Sequence, residues 1–127
     1  MKYEPVRNFI DGAFQHAASQ KYLEIISPLD GSKLSEVPMS SSKDLDDAVN
    51  AGKKAFQTWG KTPIKERVQV FFRYKYLLEK YLPELAELCS EENGKTIAES
   101  IAEIEKCIEL TEFATSLPQL VPAKFLK

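Results

Sequence analysis

The sequence predicts an α/β arrangement in which two short β-hairpins precede about four α-helices, and the helices call for a parallel sheet to lie against. Three observations carry this. Turn dipeptides cluster before Pro38, the hydrophobic period changes from that of strands to that of helices after it, and no central sheet is encoded within the 127 residues. The helical faces therefore hold more apolar surface than hairpins and helices can pair among themselves.

The hairpins are placed in residues 8–40. Asn8-Phe9-Ile10 and Ala13-Phe14 flank Asp11-Gly12, a dipeptide suited to a tight antiparallel turn because glycine tolerates positive φ. An extended run over 22–26 ends at Ser27-Pro28-Leu29-Asp30-Gly31. There Pro28 fixes φ and Gly31 lets the chain reverse into 33–37.

The helical part is placed in residues 42–117. Ser41-Ser42 offers capping hydroxyls, and Asp44, Asp46 and Asp47 put negative charge where the helix dipole favours it. Leu45, Val49, Gly52, Phe56 and Trp59 then recur on one stripe, and Gly60 ends the helix. Thr62-Pro63 opens a second helix running to about Leu82. Pro83 either kinks it or starts a third, over 83–92, which Asn93-Gly94 stops. Thr96 caps a fourth, with Ile97, Ile101, Ile104 and Ile108 spaced by three or four. Pro118 and Pro122 close the helices and leave 118–127 as a tail.

Composition excludes several classes of function. With 43% hydrophobic and 28% charged residues the chain is neither disordered nor a helical membrane protein, and 1–12 lacks the apolar segment of a secretory signal. A net charge of −2 argues against nucleic acid as a partner. Two cysteines, Cys89 and Cys107, make no disulfide framework and suit a reducing, cytoplasmic setting. The nine glutamates between Glu84 and Glu112 face only Lys95 and Lys106, and they read as a solvated face.

The search for catalytic groups is mostly negative. Five scattered glycines form no phosphate-cradling loop, and Gly94-Lys95-Thr96 is a helix stop followed by a cap. The single His16 leaves no Ser-His-Asp triad and no His-based metal site. Cys89 falls on the apolar side of its helix and reads as a buried inert thiol, while Cys107, at the border of an apolar stripe, reads as packing or pocket lining. Glu91-Glu92 stand at a helix C-terminus, where the dipole disfavours them and a cation would relieve them.

Phe9-Ile10-Asp11-Gly12, Ser27-Pro28-Leu29-Asp30-Gly31, Asp46-Asp47-Ala48-Val49 with Ala55-Phe56 and Trp59, and Glu92-Asn93-Gly94-Lys95 occur in one order and spacing. Together they resemble the opening of an NAD(P)-dependent aldehyde dehydrogenase. The runs 62–70 and 91–96, with Ile108-Glu109 and Glu112-Phe113-Ala114, resemble the methylmalonate-semialdehyde branch.

The resemblance implies that 1–127 is the amino-terminal part of a Rossmann-type cofactor-binding domain, the first quarter of a longer enzyme assembled as a homodimer or homotetramer. That enzyme would oxidise an aldehyde, a semialdehyde in this branch, to an acid or an acyl-CoA, with NAD or NADP and in some members coenzyme A. The nucleophilic cysteine, oxyanion donors and glutamate base belong to later motifs, so the segment alone is expected to have no catalytic or cofactor-binding residue and no activity. Two minor roles carry over. Glu92, with the carbonyl of Ile26, matches a structural monovalent-cation site. Lys106 and Cys107 match positions at the substrate entrance. The branch has Arg-Gly there, and lysine keeps the charge but loses the bidentate fork, which weakens carboxylate recognition. A reading from a different class stays open beside this one: a self-contained helical interaction module whose acidic last helix binds a basic partner.

Overall fold

In the computed structural model, which describes residues 1–120, Asp11 and Gly12 take φ of 53° and 79° and join β1 (Asn8–Ile10) to β2 (Ala13–Gln15). Two consecutive left-handed residues give the turn whose twist matches antiparallel strands. The register sets Phe9 opposite Phe14, with ring centroids 4.9 Å apart, a cross-strand aromatic pair. β3 (Tyr22–Ile26) pairs antiparallel with β4 (Lys33–Pro38) around Gly31 at φ 73°, with an irregularity between Ile25 and Ile26. The other edge of β4 is taken by the start of the chain. The N–H groups of Lys2 and Tyr3 donate to the Leu34 carbonyl at 2.9 and 2.8 Å, and that of Val6 to the Glu36 carbonyl at 2.8 Å.

These hairpins belong to the first of two compact units, Met1–Lys61 with Glu91–Gly94. Its helix, α1 (Ser42–Trp59), starts at a complete capping box. The Ser41 side chain accepts from the Asp44 N–H, and the Asp44 carboxylate accepts the Ser41 N–H at 2.7 Å and the Ala18 N–H at 2.9 Å. Gly60 caps the other end in a right-handed conformation. A Cβ there would lie 2.8 Å from the Phe56 carbonyl, so closeness of approach, not a left-handed φ, is what calls for glycine. The one buried residue of α1 is Asp44, while Leu45 and Phe56 on the apolar stripe are 64% and 67% exposed.

The second unit comprises Thr62–Ser90 and the described residues from Lys95 onward. The single helix expected from Thr62 to Leu82 is two: α2 (Ile64–Arg67), with Pro63 rather than Thr62 at its cap, and α3 (Gln69–Lys80). They meet at the buried Val68, whose carbonyl accepts from the Phe71 N–H at 2.9 Å in a tightened turn. Pro83 starts a new helix rather than kinking an old one: α4 (Leu82–Asn93) follows Tyr81, which leaves the helical region at φ −102°, ψ 13°. α5 (Ile97–Thr115) begins at a second capping box, Thr96 with Glu99. Where a non-helical tail was expected from 118, α6 (Leu117–Leu120) adds one turn; Pro122 and the rest of that tail lie outside the described residues. α3 packs on α5, and α6 touches α2 and α5.

Among the described residues few large apolar side chains are buried: Leu34 in the first unit, Val68 and Leu78 in the second, with the small Ala17 in the first and Ala86 in the second. Phe71, Phe72, Tyr74, Tyr76, Leu77 and Tyr81, which lie along α3 and at its end, are exposed. No helix among the described residues is long and apolar enough to cross a membrane.

Candidate functional site

α5 presents Lys106 and Cys107 because Thr96 and Glu99 fix its start. The Glu99 carboxylate accepts the Thr96 hydroxyl at 2.8 Å and its N–H at 2.9 Å, which holds the carboxyl below its ordinary range. Further along, the Thr111 hydroxyl donates to the Cys107 carbonyl at 2.7 Å. Lys106 and Cys107 are both exposed. The Lys106 ammonium donates to the Glu109 carboxylate at 2.7 Å, one turn on. That partner was legible as an i,i+3 pair of opposite charge, and sequence reasoning gave it no role. Leu110 and Phe113 lie exposed on the same side of α5, at i+4 and i+7 from Lys106.

Cys89 is half-buried rather than buried, and its thiol donates to the Glu103 carboxylate at 3.8 Å. That carboxylate also pairs with Lys95, which lowers the pKa of Glu103 and raises that of Lys95. The thiol read as buried among apolar side chains therefore has a carboxylate of α5 as a neighbour.

The charge at the end of α4 is relieved in a way the sequence did not reveal. Glu91 accepts from the Lys2 ammonium and, at 2.7 Å, from the Tyr3 hydroxyl, and these bonds lower its pKa, the Lys2 contact most. Glu92 is exposed and has no such partner among the described residues. Ile26 closes β3, and Gly94, at φ 79°, brings the end of α4 against the turn that follows: a Cβ on Gly94 would lie 3.0 Å from Pro28 Cγ. Among the described residues no group of three His, Cys, Asp or Glu side chains could hold a metal. A cation here would rest on one carboxylate and one backbone carbonyl.

Apolar grooves run along both units. One of about 400 Å³ runs along α1 and β1 beside Phe9, Ile10 and Leu45. Another of about 330 Å³ lies along α3 and α4 between Tyr74, Leu77, Tyr81 and Leu88. None of the candidate residues lines either.

The described residues thus form two hairpins followed by helices whose apolar faces stay largely bare. The chain belongs to the aldehyde dehydrogenase family, whose model matches residues 14–126. Within that family it is 42% identical over 123 residues to the malonate-semialdehyde dehydrogenase of Halalkalibacterium halodurans, which covers 97% of this chain and 25% of that protein. A solved structure described as a methylmalonate-semialdehyde dehydrogenase of Sinorhizobium meliloti 1021, complexed with NAD, matches with a TM-score of 0.91 at 34% identity, over 100% of this chain and 26% of that one. The methylmalonate-semialdehyde dehydrogenase of Oceanimonas doudoroffii matches with a TM-score of 0.89 at 29% identity, over 94% and 24%. The chain thus spans about a quarter of the length of the curated relatives it matches. Hairpins followed by helices are the amino-terminal part of the aldehyde dehydrogenase fold, as the sequence led us to expect.

Proposed function

We propose that this chain is the amino-terminal part of the cofactor-binding domain of an NAD(P)-dependent, cytoplasmic dehydrogenase that oxidises a carboxylated aldehyde of the malonate- or methylmalonate-semialdehyde type to an acid or, with coenzyme A, an acyl-CoA. The observation that carries it is the match to such enzymes over nearly the whole chain. The uncovered faces of α1 and α3, with the exposed Leu110 and Phe113 of α5, support it physically, as surfaces shaped to lie against a sheet. They also count against a self-contained interaction module, which would close its own core.

The nicotinamide supplies the hydride acceptor in such a reaction. None of the five glycines here forms a phosphate loop, so no step of cofactor binding is assigned to this chain's residues. What the chain contributes is support and selection. Lys106 and Cys107 stand at the substrate entrance, with the Lys106 ammonium meeting the substrate carboxylate as a point charge. Glu92 and the Ile26 carbonyl hold a structural monovalent cation, supported by the contact of Gly94 with the turn after Ile26. Assembly as a homodimer or homotetramer follows the same reading.

The test is a segment exchange. This chain replaces the corresponding quarter of the Halalkalibacterium halodurans enzyme, and NADH formation from malonate semialdehyde is followed. An active chimera, with no NADH from the 127 residues alone, is the expected result. A chimera that purifies folded and fails to reduce NAD or NADP would overturn the proposal.

A further inference from the structure

We propose that Glu109 is a positioning residue for substrate choice: its carboxylate competes with the substrate's for the Lys106 ammonium and thereby sets how strongly the entrance prefers aldehydes with an anionic far end. The inference rests on the reading of Lys106 given above and adds to it a residue with no assigned role.

Three observations lead there. Lys106 and Glu109 are 2.7 Å apart, so the cation that would receive a substrate carboxylate already holds one. Both side chains are exposed, at 61% and 70%, and an ion pair in that setting is weak enough for an incoming anion to displace. Leu110 and Phe113, exposed on the same side of α5, extend an apolar strip from the cationic head. A cation at the head of an apolar strip complements a short aliphatic aldehyde bearing a carboxylate at its other end. Such a ligand has to turn the ammonium away from Glu109, whose own negative charge repels the ligand while it stays. The lysine can turn, because its flexible stem carries three donors with no fixed fork.

The experiment uses the chimera, with malonate semialdehyde and propanal as probes. Glu109→Gln is expected to lower KM for malonate semialdehyde by about two- to five-fold, the range an exposed ion pair supplies. The ratio of kcat/KM for malonate semialdehyde to that for propanal should rise by a similar factor, with the gain in KM rather than kcat. Glu109→Asp should return the ratio toward its starting value, and raised salt should shrink the gain. An unaltered KM for malonate semialdehyde, or equal changes for both aldehydes, would overturn the inference. Lys106→Gln separates the two levels. If it leaves the ratio unchanged, the entrance role of Lys106 fails and Glu109 with it. If it lowers the ratio while Glu109→Gln does nothing, the role of Glu109 alone is lost. Both positions are exposed on a capped helix, so neither substitution threatens folding.

Discussion

At the start of α1, Ser41 and Asp44 satisfy each other's backbone groups and reach across to Ala18, whereas along the same helix Leu45, Val49, Phe56 and Trp59 remain exposed. α5 repeats the contrast, with a closed Thr96–Glu99 box at its head and Leu110 and Phe113 bare along its side. Helix ends are polar problems, solved by two or three residues that are neighbours in sequence. Helix faces are apolar problems, solved only by a second surface of matching area. The starts of α1 and α5 are finished, and the apolar side chains along them are not covered.

The largest expected effect sets two adjacent leucines of α3 against each other. Leu78 is buried, and Leu78→Ala should destabilise the chain by about 2–5 kcal/mol in urea unfolding, through lost transfer energy and a cavity. Leu77 is 45% exposed, and Leu77→Ala should cost no more than about 0.5 kcal/mol. In the chimera the gap should narrow, because a covered Leu77 then has contacts to lose. Equal costs in the isolated chain would mean that the exposed face is already packed, and the contrast between ends and faces would fail.

A second pair tests backbone demands at helix ends. Gly94 combines φ 79° with a Cβ position 3.0 Å from Pro28 Cγ, so Gly94→Ala should cost about 1–2 kcal/mol for the left-handed conformation alone. Gly52 sits inside α1 with open space around it, and Gly52→Ala should stabilise by about 0.5–1 kcal/mol. The two substitutions are chemically identical and differ in sign only through where the helix puts them. Matching signs in denaturant melts would show that these ends are less constrained than the geometry says.

What could be read in the sequence divides along the same line. The Asp11-Gly12 turn, the caps at Ser41 and Thr96 and the stop at Gly94 are local, and each appears in the structure where residue type placed it. The break at Val68 was not legible, because the apolar spacing runs straight through it and the interruption comes with burial of Val68 itself. Nor was the answer to the charge on Glu91: Lys2 lies 89 residues away, and no spacing rule links them. The apolar stripe Leu45, Val49, Phe56 and Trp59 is exposed because periodicity reports which side is apolar, not whether anything covers it. Of the candidate site, Lys106, Cys107, Ile26 and Glu92 were named from family resemblance, and the structure adds the Glu109 partner and the Gly94–Pro28 contact.

The smallest effect is a matter of pH and concerns the one residue that α1 buries. The Asp44 carboxylate is held below its ordinary range first by the Ala18 N–H, then by the Ser41 N–H and hydroxyl. A carboxyl depressed in the folded state stabilises it fully above the ordinary aspartate range, and that contribution is lost as pH falls through the depressed value. The urea midpoint should therefore drop on the acid side while staying level near neutrality. Asp44→Asn carries no charge to lose and keeps a single acceptor oxygen, which can serve Ala18 or Ser41 but not both, since these donors bond to different carboxylate oxygens. Its midpoint should start lower at neutral pH and fall less steeply in acid, so that the two curves converge. If they stay parallel, the acid limb belongs to other carboxylates, such as Glu91 or Glu99, and the first helix end owes its strength to hydrogen-bond geometry rather than to charge.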